Sequence, residues 1–346
     1  MDRVKQLRGQ EGTIQIKIGV LGAGAIGSLF GGLLSSVNTE HYEIDTVFFC
    51  REAHCNKINE RGLILHDGPD ILNLTNIKAY PNEIEFHDAV NIQSRKKFTY
   101  LFLTTKAYDI ETAIYQYRKL IDECEWLVIL QNGIGNEDLV RKGCSEEKIM
   151  RIVTSHGALI RKPGEVHHTG KGFTKIGFPF INSQDYSVSK HRRARDRLYL
   201  LQQLLEQCGI ETEISDDIVK DSWEKVIANV GINPVGTLTR LKNGKILEHP
   251  NLLNIMESAI EEALIAAKSK RINLSDKDYM EIACDIARKT AENENSMLQD
   301  VLKNKQTEID FINGKIVEIA EEFGIDCPVN KILTNLVKGL EDSYIL

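Results

Sequence analysis

Lys225, Asn229 and Asn233 recur at steps of four in the segment DDIVKDSWEKVIANVGINP. On a helix each such step turns about 400°, so the three side chains drift only about 40° apiece and stay on one face. A polar face is ordinarily a solvated one, but here Val226, Ile227, Ala228, Val230 and Ile232 surround the three and the charges of a wet surface are missing. One amine and two amides on an apolar helix can donate a proton and hydrogen-bond a small polar ligand. Pro234 disfavours helix at Asn233 and is expected to break the run, leaving Asn233 at an exposed helix end that faces a ligand. The segment NENSMLQDVLKNKQTEIDFING supplies the other candidates, Asn293, Ser296 and Glu308. Ser296 with Gln299 also has the spacing of a capping box. One unbroken helix would hold Ser296 and Glu308 about 18 Å apart along its axis. A break near Lys305 and Gln306 is therefore expected, which would let both reach one pocket.

A second chemistry is written near the amino terminus. Gly22, Gly24 and Gly27 form G-x-G-x-x-G directly after the strand-like run Ile16 to Leu21 and ahead of a helical stretch. In that context the glycines provide a tight turn, close backbone approach to a pyrophosphate and tight helix–strand packing. The loop Gly22, Gly24, Ala25, Ile26 and Gly27 is thus the expected cofactor cradle. At the end of the next strand-like run, IDTVFFCR, an NAD site would carry an acid for the ribose 2′-hydroxyl, and this chain has Cys50 and Arg51. Arginine there can pair with a 2′-phosphate, which favours NADPH. Lys106 and Asn132 follow the runs YLFLTT and WLVILQ, at carboxyl ends of strands where open α/β sheets bind ligands.

The elements that must position these residues are legible from periodicity. Short apolar runs at IQIKIGVL, IDTVFFC, YLFLTT, WLVILQ and MRIVTSHG alternate with helical stretches, predicting a mainly parallel sheet with helices on both faces. After about residue 216 only helical spacing remains. The expected fold is an α/β Rossmann-type N-terminal domain plus an all-α C-terminal domain: a disordered arm over 1–14, a Rossmann-like NADPH-binding domain over 15–215, and a helical substrate-binding domain over 216–346. Capping boxes at Ser275/Asp278 and Thr307/Asp310 mark two helix starts, and Gly324 with Pro328 marks a stop.

Composition narrows the function further. With 43 basic and 50 acidic residues the net charge is −7, which argues against broad nucleic-acid binding. No apolar run approaches a membrane span. The seven cysteines are scattered and never spaced as C-x-x-C, so reduced cytosolic thiols are expected rather than disulfides or a zinc site. His156, His167 and His168 make a poor rival catalytic site. His167 and His168 are adjacent and would point apart on a strand, with no H-E-x-x-H and no nucleophile motif beside them.

IGVLGAGAIG, TTKAYD, QNGIGNE, WEKVIANVGINP, the Asn243-Gly244 pair, NENSMLQD and TEIDFING, in that order, resemble the ketopantoate reductase family over nearly the whole chain after the arm. The resemblance implies NADPH-dependent reduction of a small 2-oxo acid, ketopantoate, to pantoate in pantothenate and coenzyme A biosynthesis. It implies Lys225 as the catalytic lysine, Glu308 as its carboxylate partner, and Asn132 positioning the nicotinamide or the lysine. Asn229, Asn233, Asn293 and Ser296 match substrate contacts, Arg51 and Lys106 match cofactor contacts, and Asn243 matches a motif of less defined role. A cytoplasmic homodimer without metal, nucleic-acid or membrane partners is the accompanying expectation. Two other readings stand beside it: a reductase making a D-2-hydroxy acid from another branched or aromatic 2-oxo acid, and a non-catalytic NADPH-binding regulatory module. The presence of both Lys225 and Glu308 counts against the second.

Overall fold

The computed structural model describes residues 13–37, 39–90, 96–187 and 191–345. The expected arm falls outside them up to residue 12, and Ile14, its last residue, already belongs to the first strand. Contacts divide the chain into two compact units, one comprising residues up to Thr105, Asp109–Leu130 and Val140–Asp216, the other Lys106–Tyr108, Gln131–Leu139 and Asp217–Leu346. The turns that carry Lys106 and Asn132 are thus parts of the second unit, although the strands before them belong to the first.

In the first unit the strands are β1 (Ile14–Leu21), β2 (Tyr42–Phe49), β3 (Leu63–Asp67), β4 (Asp70–Leu74), β5 (Ile77–Tyr80), β6 (Tyr100–Leu103), β7 (Trp126–Ile129), β8 (Ile149–Thr154), β9 (Gly157–Lys162), β10 (Glu165–Gly170), β11 (Thr174–Gly177) and β12 (Glu213–Ile214). Among the described residues, eight of them form one sheet in the order β12-β11-β8-β7-β6-β1-β2-β5. Its pairs are parallel except β11 with β8. The central strands β6 and β7 are buried along their whole length, as their unbroken apolar runs require of a sheet covered on both faces.

The sequence reading did not foresee a second sheet, β4-β3-β10-β9. It packs on the helix Ala25–Ser35. A hydrogen-bonded chain runs there from Asp67 through His168 (Oδ1 to Nδ1, 2.9 Å) to His156 (Nε2 to Nδ1, 2.8 Å), with the His156 ring edge-on to Phe30. Burial, reinforced by His168 and Lys171, holds His156 down to about 4 from an ordinary 6.5. The folded state therefore refuses a proton that the unfolded chain accepts. Its stability is complete above about pH 6.5 and falls as pH drops toward 4. Denaturant unfolding across that window should show a shallower slope in His156→Gln; an unchanged slope would refute the assignment.

The second unit is helical. The helix Ile218–Thr239 is its axis, packed by helices Pro250–Ser269, Tyr279–Lys289, Ser296–Val301 and Pro328–Ile345. Pro234 does not break it, contrary to expectation. Proline deprives the carbonyl of residue 230 of its helical donor, and here Asn313 Nδ2 donates to the Val230 carbonyl at 3.0 Å instead. Three starts also differ from their capping-box readings: the helix expected from Thr307 begins only at Asn313, after a short 3-10 turn over Ile309–Phe311, with Ile312 as N-cap and no side-chain cap. Asp278 rather than Ser275 caps Tyr279–Lys289, accepting from the Glu281 amide, and Asn295 rather than Ser296 caps Ser296–Val301, accepting from the Leu298 amide. In the last two, the local motif lost to the residue adjoining the first packed turn. The helix Asn313–Glu322 stops at Gly324 as expected, with φ +67°, whereas Pro328 opens the next helix, where its missing N–H costs nothing.

Candidate active site

The cofactor turn follows β1 directly. Gly22 has φ +76°, and a Cβ there would strike Thr105; a Cβ on Gly27 would lie 2.3 Å from Thr104 Oγ1. A Cβ on Gly24 would meet only the Gly22 carbonyl, at 3.7 Å, so that side of the turn is open. Gly24 is also the N-cap of Ala25–Ser35, with no side-chain cap and no acid in the first turn. The Ala25, Ile26 and Gly27 amides therefore have no intrahelical acceptor and point outward from a positive helix end, which fits a pyrophosphate. Arg51 is exposed at the N-cap of Glu52–Arg61, two residues past β2. It lies near Asp109, whose carboxyl burial pushes up and the Arg51 guanidinium pulls partly back. These residues fit NADPH.

The second unit gathers the other candidates. Lys225 Nζ donates to Asn132 Oδ1 at 2.7 Å, and Asn132 Nδ2 donates to Glu308 Oε2 at 3.4 Å. Glu308, 6% exposed, also accepts from the Ala107 amide at 3.1 Å and faces Lys106 Nζ at 3.5 Å. Asn132 thus stands between the lysine and the carboxylate that the sequence reading paired. Lys106 donates to Asp300 at 2.6 Å. Burial would lower its ammonium, but the Glu308 and Asp300 carboxylates outweigh that and hold it above the usual lysine range. Sequence reasoning missed Asp300, 194 residues from its partner.

The break expected near Lys305 and Gln306 is present but begins earlier, at Leu302, with Asn304 at φ 51°. The Thr307 amide donates to Glu341 at 2.8 Å and Tyr344 Oη to the Lys305 carbonyl at 2.9 Å, so the C-terminal helix fixes the turn that carries Glu308. Lys225 and Asn229 are half-buried on the long helix; Asn233, expected at an exposed helix end, is 5% exposed inside it. Asn293 and Ser296 are exposed around the start of Ser296–Val301, which packs on that helix. The Asn243 amide donates to the Asn293 carbonyl at 3.0 Å, its side chain donates to Thr290 at 2.9 Å, and the Gly244 amide donates to the Ala291 carbonyl at 3.1 Å. A Cβ on Gly244 would lie 2.5 Å from Ala291 Cβ. The Asn-Gly pair therefore fastens the turn that presents Asn293.

The family model described as ketopantoate reductase PanE/ApbA matches residues 18–179, and its C-terminal counterpart matches residues 217–341. A 2-dehydropantoate 2-reductase of Pyrococcus horikoshii is 35% identical over 94% of this chain and 98% of its own. Among solved structures, a D-mandelate dehydrogenase with NADH and anilino(oxo)acetate has a TM-score of 0.81 at 24% identity, covering 96% of this chain and 100% of that one. A PanE/ApbA family ketopantoate reductase from Ralstonia eutropha has a TM-score of 0.80 at 23% identity, with the same coverage. At those identities the two structures speak for the fold.

Proposed function

Because this chain belongs to the ketopantoate reductase PanE/ApbA family, we propose that it reduces 2-dehydropantoate to pantoate with NADPH, using Lys225 as the proton donor. The observation that carries the mechanism is the run Lys225, Asn132, Glu308, joined by hydrogen bonds of 2.7 and 3.4 Å. When bound, NADPH supplies a hydride to the 2-carbon of the oxo acid. Negative charge then grows on the carbonyl oxygen, and a proton must meet it. The Lys225 ammonium has three N–H bonds, one of which Asn132 takes, and this fixes the direction of the amine. Glu308 in turn orients the Asn132 amide. Asn229, Asn233, Asn293 and Ser296 hold the substrate. The glycine turn holds the pyrophosphate, Arg51 the 2′-phosphate, and Lys106, in exchange for part of its contact with Asp300, a further cofactor group.

In this reading residues 15–215 bind NADPH and 216–346 the substrate. A cytoplasmic homodimer without nucleic-acid or membrane partners completes the proposal. Two observations support the compartment: the cysteines are free thiols, and no helix among the described residues is long and apolar enough to cross a membrane. NADPH oxidation measured against a panel of 2-oxo acids tests the function. Turnover of none of them would leave the non-catalytic binding module as the better reading.

The cofactor assignment has its own test. Arg51→Ala should weaken NADPH by about tenfold to a hundredfold, the worth of charge-assisted bonds to a phosphate, while NADH changes little. Arg51→Lys should not restore full affinity, because an ammonium cannot reproduce the bidentate fork. Equal losses for both nucleotides, measured by fluorescence titration, would remove Arg51 from the site.

A further inference from the structure

The two faces of the second sheet sort its histidines into two groups. His168 joins Asp67 and His156 on the face described above. On the opposite face of the parallel pair β3 and β10, His167 stands directly across from His66, and Glu165 lies two residues before His167 and so on the same side. The two rings stack at 4.0 Å with planes 5° apart. Both Nε2 atoms face one oxygen of Glu165, His66 at 3.4 Å and His167 at 3.2 Å from Oε1. The ligand atoms of the three side chains all lie within 4.8 Å of one another. His66 Nε2 is buried and makes no hydrogen bond of acceptable geometry, so one ring nitrogen is aimed into the cluster unsatisfied.

We propose that His66, Glu165 and His167 form a binding site for a borderline divalent transition metal, with Zn²⁺ the best match. Two imidazole nitrogens and one carboxylate oxygen suit Zn²⁺, Ni²⁺ or Cu²⁺; Mg²⁺ and Ca²⁺ would demand oxygen ligands throughout. Three protein ligands leave the fourth tetrahedral position to water. Bonds of about 2.0 to 2.1 Å to the two nitrogens require the rings to rotate out of their stack, a side-chain motion that leaves the paired backbones in place. Glu165 can take part through Oε1 alone, because Lys162 holds Oε2 at 2.9 Å. That ammonium is the nearest competing charge and limits the affinity. The bound ion would tie β3 to β10, segments about a hundred residues apart in the chain, as a structural staple within the first unit, whereas Lys225 and Glu308 belong to the second.

The test uses the full-length protein, stripped with a chelator and then titrated with Zn²⁺ in competition with a chromogenic indicator. One equivalent should bind in the micromolar range, and saturating Zn²⁺ should raise Tm by about 5 °C or more. Affinity should fall at least about tenfold in His167→Asn and in Glu165→Gln, and further in the double variant His66→Ala/His167→Ala. It should fall too as pH drops, since the ligands must be deprotonated. Cys144→Ser, which removes a half-exposed thiol, should change nothing. NADPH binding, followed in parallel, shows that each variant is folded. The absence of a stoichiometric equivalent, equal affinity in the double variant, or loss of binding in Cys144→Ser would each overturn the site.

Discussion

Lys225→Ala is expected to lower kcat by about 10² to 10⁴, the range a positioned general acid contributes, while the NADPH dissociation constant stays nearly unchanged. The glycine turn and Arg51 belong to a different compact unit from Lys225, so removing the amine takes nothing from the proposed phosphate contacts. Glu308→Ala should cost much of the same activity. Without its carboxylate the Asn132 amide loses the acceptor that orients it, and Lys225 loses a fixed direction. Groups that act as a unit are grossly non-additive, so the double variant should be little worse than Lys225→Ala alone. Asn132→Ala, which removes the residue between them, should fall within the same non-additive set. Strict additivity in single-turnover rates would mean independent roles. If the run of Lys225, Asn132 and Glu308 is only a structural tie, both alanine variants should reduce substrate at nearly the parental rate. That result would overturn the mechanism and leave the fold untouched.

What the sequence revealed of this site, and what it hid, divides along local and non-local physics. The face formed by Lys225, Asn229 and Asn233 could be read because helical periodicity is a local property. Asn233 was misplaced because the damage done by Pro234 is repaired by Asn313, 83 residues from the carbonyl it serves. No spacing rule reports such a repair. Asp300 was invisible for the same reason: as the single acid of the short helix SMLQDV, it gains meaning only from Lys106. The second sheet escaped because its strands LILHD, DILNL, GALIRK and EVHHTG are short and partly exposed, and alternate too irregularly to stand out. Their pairing joins distant segments, and hydrogen bonds between distant segments leave no periodic signature. Even so, the expectation that His167 and His168 would point apart follows from strand geometry alone, and the two side chains do enter separate networks.

Ketopantoate should be preferred over 2-oxoisovalerate by about 10⁴ in kcat/KM, roughly 5.5 kcal/mol of transition-state binding. The two oxo acids share the branched carbon and differ by the hydroxymethyl group. A pocket lined by Asn229, Asn233 and Asn293 would leave amides unpaired around the analogue, and the cost of an unmade hydrogen bond rises with burial. In the proposed pocket Asn233 should matter most, because it is 5% exposed within an apolar stretch of helix, where water would not easily replace a missing ligand hydroxyl. Asn293, exposed on its turn, can be rehydrated and should discriminate less. Asn233→Ala should therefore lower kcat/KM for ketopantoate by orders of magnitude while changing 2-oxoisovalerate much less, narrowing the ratio from one side. Asn293→Ala should narrow it only slightly. Comparable kcat/KM for the two acids in the parental protein would favour a reductase of branched or aromatic 2-oxo acids in general. A ratio unchanged by Asn233→Ala would place the hydroxyl-binding group elsewhere in the pocket.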